Sequence, residues 1–551
     1  MAELRSRTFS DPGFWFLAGV YALGLAHIAI LPPFEGFDET AHFSSVQLVA
    51  DEGRWPVFGR DKISREIETY RAFAPMRYAS TPPFDENGGA TYAAALSTAS
   101  GREQTNQSAK TPPDRPRVFV AGDTPNWQAQ HPPLAYIALA PVYAMTKHLA
   151  LLTQLFWLRA ACWSIAVIGL IVGMRSIASF AGPRAALAVA AWPLGAPMFF
   201  PEMARLGNDA FCVLFVSLTF AAGVKLLAAI KTRDNPMVSA MLLGVALGAG
   251  GLTKAFFLPM AVGVLAFLTL AVLTEHFRNQ HKSGAAVLRM LAPIAVAGGV
   301  FFLVAGWWYV GKLIDTGSLT GSNDMISAQG AAMTYFSLKA YFIRIASIVL
   351  SFAWTGTWSL VKLPYLAVAI YAGVLLVVFA ACFFGIAKQR RMIGEEVLAI
   401  SIVAPVFVGL AYHAFVQTAL GPAGIGTPGY YLHIFAAPLA FLVYQGVSIL
   451  KERLAGRLFL GLGAGYLLVF TSVAILYQIN MFAGCAEKTG DNRFYQPTAC
   501  FNNPEELWVR LNALTLPTTA VVTFLAGAGC VIFGAYRLRQ DTQARRARSV
   551  A

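Results

Sequence analysis

Charge is what this chain has least of. Only 13% of its 551 residues are Asp, Glu, Lys or Arg, against roughly one quarter in a soluble domain. With 56% of residues apolar, that scarcity excludes an ordinary water-soluble globule. Cysteine is also scarce. Cys162, Cys212, Cys382 and Cys530 fall inside apolar runs and read as small buried side chains. Cys485 and Cys500 share a polar loop, and no Cys-x-x-Cys or Cys/His spacing suggests a metal site. Internal repeats, low-complexity tracts, a Walker loop, a dinucleotide fingerprint, a zincin motif and a serine elbow are all missing. The net charge of +13 does not indicate nucleic acid, because much of the Lys and Arg sits in short loops between apolar runs.

What is present is a series of apolar runs of about 20 residues, each long enough to cross a hydrocarbon core of ~30 Å. Backbone amides in lipid must be satisfied internally, and these runs are continuous rather than alternating, which selects helices over a barrel. Helices are predicted at about 14–32, 155–174, 185–200, 209–229, 236–251, 254–274, 288–310, 364–386, 396–417, 430–449, 457–480 and 516–537. The fold class is therefore an all-α polytopic membrane bundle of about 12 helices, within a range of about 11–14. The first run lacks a small-residue cleavage site and reads as a retained helix.

Basic residues set the orientation. Arg5 and Arg7, Arg175 and Arg184, Lys231 and Arg233, Arg278, Lys282 and Arg289, Lys388, Arg390 and Arg391, Lys451, Arg453 and Arg457, and the arginines from Arg537 to Arg548 all fall on one side. That side is read as cytoplasmic and holds both termini, and the setting is read as a bacterial inner membrane. The apolar segment from His131 to about Met145 is short and interrupted by Pro141, so it is predicted to lie at the outer surface or re-enter. Outer segments are predicted at 34–130, 311–364 and 481–514, the second carrying an amphipathic stretch near Tyr341. A Cys485–Cys500 disulfide is permitted on that side, and two free thiols are the alternative. The chain divides into a module of 1–360 and a C-terminal set of helices over 361–551.

Six short segments carry chemistry. Between Glu35 and His42 stand three carboxylates, Glu35, Asp38 and Glu39, and a histidine, directly after the first helix. A partly desolvated carboxylate there suits a general base, and Asp38 as a plain helix cap is the competing reading. Arg205, Asn208 and Asp209 fall at the outer start of a later helix, where ionisable residues are functional candidates. Arg205 suits a phosphate or an acid partner. Lys254, in a short outer turn after Thr253, suits an anion or a snorkelling anchor. His131 opens the stretch His131-Pro132-Pro133-Leu134. Trp354 and Trp358 suit sugar stacking or an interfacial belt, as do Tyr430, Tyr431 and His433. The cytoplasmic loops leave no room for a nucleotide-sugar domain, so a transferase here takes its donor from the membrane.

Taken in order, Asp38-Glu39, His131-Pro132-Pro133-Leu134, Asp209, Thr253-Lys254 and Gly429-Tyr430-Tyr431 resemble the motifs of the GT-C superfamily of membrane glycosyltransferases, in particular an uncharacterised bacterial branch with Pro-Pro-Asp-Glu-Pro-Ala-His-Phe after its first helix. The likeness covers roughly residues 14–450. It implies inverting transfer of a sugar from a polyprenyl-phosphate donor to an extracytoplasmic glycan, lipid or protein. Asp38 is then the base, with Glu39 and His42 orienting it. Lys254 and Arg205 steady the phosphate. Some relatives use a divalent cation and others do not; Asp38 and Asp209 are the residues to hold one. Here Phe34-Glu35-Gly36-Phe37 lengthens the step to the acid pair, so Glu35 competes with Asp38, and a tyrosine stands where relatives often have arginine. A polysaccharide polymerase or ligase, a transporter of a glycolipid or solute, and a non-catalytic scaffold are the rival readings.

Overall fold

The computed structural model describes residues 11–73, 91–232, 234–278, 284–321, 337–358, 363, 365–389, 392–420, 427–450, 471–488 and 495–550. The described residues form a helical bundle with two small antiparallel sheets, Lys62–Ser64 with Ala121–Pro125 and Ala486–Lys488 with Tyr495–Pro497. Among them, 9 helices are long and apolar enough to cross a membrane: Pro12–Ile30, Leu151–Ala181, Asp209–Thr232, Phe257–Glu275, Val287–Thr316, Leu366–Ala387, Gly394–Ala419, Gly429–Ile449 and Pro517–Ala544. The chain is a polytopic helical membrane protein.

Three of the predicted helices are not among these. Pro183–Gly195 and Met237–Gly251 are helical but have only 13 and 15 residues. Of the run predicted at 457–480, only Thr471–Phe482 is described as helix, and the remainder lies outside the described residues. The same holds for Arg5, Arg7, Arg233, Lys282, Arg390, Arg391, Lys451, Arg453 and Arg457 of the orientation argument.

Some boundaries differ for identifiable reasons. The helix predicted at 185–200 ends at Gly195, two residues after the internal Pro193. A separate short helix, Phe199–Met203, then turns the chain toward Asp209. The helix predicted at 288–310 runs on through a π-helical stretch, Phe302–Gly306, to Thr316, which shortens the second loop. That loop carries an amphipathic helix, Leu338–Ala353, with Ile348 and Phe352 buried and Leu338, Phe342 and Ile343 exposed. Leu134–Thr146 is a helix of 13 residues, short of the ~20 needed to span.

The first and last long helices are packed tightly together. Pro at the first turn and the Asp11 carboxylate, which accepts from Gly13 N at 2.9 Å, start Pro12–Ile30. It crosses Pro517–Val550 where Gly19 meets Gly527. A Cβ on Gly19 would stand 2.9 Å from the Gly527 carbonyl oxygen, and one on Gly527 3.0 Å from that of Gly19. Small residues allow such close backbone approach, and in lipid that packing is a main source of helix association. The polar segments share a core of their own. Tyr92 and Leu96 from the first loop are buried with Met481, Phe482, Cys485 and Cys500 from the third, and Cys485 and Cys500 are joined in a disulfide, S–S 2.03 Å.

Candidate functional site

After the first helix, Leu31 to Phe37 cross to the helix Glu39–Glu52 in a compact turn with two non-glycine residues in the left-handed region, Phe34 (φ 60°) and Asp38 (φ 59°). That conformation costs an L-residue roughly 1–2 kcal/mol, least for Asp and Asn. Asp38 occupies the N-cap position through its backbone: its carbonyl accepts from Ala41 N and His42 N, both at 3.0 Å. Its carboxylate makes no capping bond. Oδ1 instead accepts from the Trp127 indole at 2.7 Å. Burial raises the Asp38 pKa, against the opposing pull of Trp127, Arg205, Gln128 and Lys254.

Glu39, one residue on, is fully enclosed. The Arg159 guanidinium grips it from the middle of the bundle, with Nε to Oε1 at 2.8 Å and Nη2 to Oε2 at 2.6 Å, and both side chains have no exposure. Gly36 N and Leu206 N donate to the same carboxylate at 3.1 and 2.9 Å. Arg159 also donates to the carbonyls of Leu31 and Pro32 at 2.6 and 2.7 Å. Every strong group in this clamp has a partner, so Glu39 holds the turn in shape and has no oxygen left for a substrate. Glu35 is likewise engaged. It accepts from Tyr92 and, at 2.7 Å, from Thr357 Oγ1, while its carbonyl takes Trp358 N at 2.8 Å. It ties the first polar segment to the second.

Opposite Asp38 a chain of charges crosses three elements. Arg205 Nη2 donates to Glu202 at 2.8 Å and to Asp209 Oδ2 at 2.9 Å, and its Nη1 donates to the Phe37 carbonyl at 2.7 Å. Lys254 Nζ donates to Asp209 Oδ1 at 2.5 Å. Asn208 donates to the Thr253 carbonyl at 3.1 Å, which joins the start of the 209–232 helix to the lysine turn. Burial works against the charge of Lys254, yet the adjacent Asp209 holds its pKa above the ordinary value. Burial raises Glu202 to about 8 against the pull of Arg205.

Aromatic rings line this polar group. Lys254 Nζ lies 4.1 Å from the centre of the Tyr431 ring and 5.0 Å from that of Phe256. Tyr430 stacks on Phe37 at 5.2 Å, and Trp358 meets the same Phe37 edge-on at 5.9 Å. His42 and His131 stack at 6.2 Å, and His42 Nδ1 bonds Tyr136 Oη at 3.0 Å. Burial keeps His131 at about 3 and His42 well below the usual imidazole value. Both are neutral near pH 7, so Arg205 and Lys254 are the cations beside Asp38.

The structure thus brings together Asp38, His42, His131, Arg205, Asn208, Asp209, Lys254, Tyr430, Tyr431 and, through Phe37, Trp358. It does not bring in His433, whose Nε2 bonds the Phe352 carbonyl at 2.9 Å while its ring stacks on Phe352 at 4.2 Å. Trp354 is buried in the main apolar core. Both Asp209 oxygens accept from cationic side chains. Among the described residues, no cluster of three or more His, Cys, Asp or Glu is grouped to hold a metal ion.

Four residues went unread in the sequence. Arg159 and Glu202 are ionisable residues in apolar surroundings, which is itself a signal. Trp127 and Gln128 carry no local signal, since only the pairing of Lys62–Ser64 with Ala121–Pro125 brings the residues after that strand to Asp38.

No family model matches this sequence, and no curated protein matches it. Among solved structures the chain is similar to "ArnT from Cupriavidus metallidurans bound to Undecaprenyl phosphate", with TM-score 0.45 and 14% identity over 94% of this chain and 77% of that one. It is also similar to the same protein in the apo state, with TM-score 0.39 and 15% identity over 80% and 72% of the two chains. Neither lends a residue role to this chain.

Proposed function

We propose that the protein is a GT-C-type glycosyltransferase that moves a sugar from a polyprenyl-phosphate carrier to an acceptor on the extracytoplasmic face of a bacterial inner membrane. One observation carries the reading: the Asp38 carboxylate is left out of the helix cap it sits at and lies, half-buried, within the field of two buried cations, Arg205 and Lys254.

In this reading Asp38 accepts the proton of the acceptor hydroxyl as the hydroxyl oxygen bonds to the anomeric carbon. The bond from that carbon to the phosphate oxygen breaks from the opposite face, which inverts the centre. The departing phosphate gains charge, and cations fixed in a poorly solvated site stabilise such charge strongly. Lys254 is the group to meet it, with Arg205 behind. Tyr430, Tyr431 and Trp358 supply apolar faces to the sugar. Glu39 and Arg159 touch no reactant and hold the turn that presents Asp38. Asp38 rather than Glu35 is the base, because both Glu35 oxygens are occupied.

The test is product formation by the purified protein in detergent, with a panel of polyprenyl-phosphate sugars and a lipid or glycan acceptor. Wild type is expected to form glycosylated acceptor and Asp38→Asn to form almost none while remaining folded. A carrier would give no product in detergent, and a scaffold would be indifferent to the substitution; either result overturns the proposal.

A further inference from the structure

The segment that touches the Asp38 carboxylate is three residues long and comes from a distant part of the first polar loop. Trp127 Nε1 donates to Oδ1 at 2.7 Å, and the neighbouring Gln128 side chain also favours the charged form of the carboxylate. An ionised carboxylate only accepts, so the Gln128 amide NH2 is the part of that side chain that favours it. Its Oε1 is buried with no partner in the structure.

The segment is itself pinned from behind. Asn126 Nδ2 donates to Ser45 Oγ at 3.0 Å and to the Ala41 carbonyl at 3.3 Å, both on the helix that Asp38 begins. Asn126 Oδ1 accepts from Gln128 N at 3.0 Å, and Asn126 N donates to the Asp61 carbonyl at 3.0 Å. The turn is therefore anchored to the same helix whose first residue it grips.

The geometry points to Trp127 and Gln128 as positioning residues that fix the orientation of the Asp38 carboxylate and leave one face of it open to substrate. This rests on the reading of Asp38 as the base. A carboxylate on a left-handed residue with no capping bond would otherwise rotate freely about χ1 and χ2. The Trp127 donor, on a turn that Asn126 pins to the same helix, restricts that freedom. The free Gln128 oxygen, held beside the carboxylate, is a ready acceptor for a second hydroxyl of the incoming molecule. A buried acceptor left unpaired is costly, so a substrate that supplies a donor there is favoured over one that does not.

Asp38 is also faced by Arg205 and Lys254, which favour its charged form, and by Tyr136, Tyr430 and Tyr431. None of these is altered by a substitution at Trp127. Phe at position 127 keeps the ring and removes the N–H. Removing a donor from an ionised carboxylate raises its pKa, here by about one pH unit for a charge-assisted bond.

The experiment uses the full-length protein in detergent and has two independent readouts. The first is labelling of Asp38 by a water-soluble carbodiimide, which reacts with the protonated carboxyl, followed against pH by peptide mass spectrometry. For Trp127→Phe the pH of half-labelling is expected to rise by about one unit relative to wild type. An unchanged midpoint in a folded variant overturns the proposal whether or not the protein is a transferase. The second is transfer kinetics. Trp127→Phe is expected to lower kcat roughly 10- to 100-fold with the donor KM unchanged and the acid limb of the rate profile shifted upward. Gln128→Leu, which removes the amide and its free oxygen, is expected to raise the acceptor KM as well, and Gln128→Glu is expected to restore the acceptor KM in part. Should wild type transfer sugar, Asp38→Asn fail and both Trp127→Phe and Gln128→Leu behave as wild type, the positioning role is refuted and the base assignment stands. Equal transfer by wild type and Asp38→Asn refutes the base assignment instead.

Discussion

Asp38 and Glu39 are adjacent carboxylates at the start of one helix, and their surroundings have little in common. Glu39 receives Arg159 through two nitrogens and two backbone amides, and neither charged group is exposed. Asp38 is half-buried, makes no capping bond, and sits in a strained backbone conformation beside a cluster whose cations are shared among acids. A closed network with every atom partnered fixes shape. The Asp38 carboxylate is held by one neutral donor, Trp127, and left partly open. The contrast teaches that in this loop full burial with every oxygen paired marks the acid that holds the turn, and partial exposure with incomplete pairing marks the acid proposed to react.

Substitutions at the two neighbours separate these roles. The largest effect is expected at Asp38→Asn, where losing a general base lowers turnover by about 10²–10⁴-fold. The melting temperature, read by intrinsic fluorescence in detergent, should stay close to wild type. Glu39→Gln or Arg159→Met should do the reverse. Leaving one member of a buried ion pair unpartnered costs about 3–5 kcal/mol, seen as a large drop in melting temperature and in folded yield. Turnover of the surviving protein should fall less than in Asp38→Asn. If Glu39→Gln melted like wild type, the clamp would not be the scaffold described.

A smaller effect is expected on the cation side. Lys254→Met should weaken binding of a polyprenyl phosphate by roughly 10- to 100-fold, the worth of a charge-assisted contact of about 1.5–3 kcal/mol, measured by microscale thermophoresis. The smallest effect concerns pH. Burial raises the Asp38 pKa, and a base must be ionised to act, so activity should fall as pH drops through a value above the ordinary carboxylate range near ~4. Lys254 favours the charged form of Asp38, so Lys254→Met should move that acid limb further up. An acid limb at or below the ordinary value would place Asp38 outside the rate-determining chemistry.

Much of the bundle was legible because lipid imposes one rule, continuous apolar length, and the runs at residues 12–30, 209–232 and 517–544 obey it. What failed to follow came from local breaks. Pro193 and Gly195 end a helix that composition alone would continue, and the short turn Phe199–Met203 then carries Glu202 into the charge cluster. The site was legible where charge stood at a membrane border, as at Asp38, Arg205, Asp209 and Lys254. Aromatic character was a weaker guide to placement. Trp354 and His433 look like Trp358 and Tyr431 in sequence, yet the first two turn into the core and the latter two face the polar group. Trp127 was invisible because its partner lies 89 residues away.

The most direct measurement is a structure of the full chain determined by cryo-electron microscopy with a polyprenyl phosphate added. The account predicts lipid phosphate density within hydrogen-bonding distance of Lys254 Nζ, on the side that also opens to the Asp38 carboxylate. Density for that phosphate at a site that Asp38 and Lys254 do not share would contradict it.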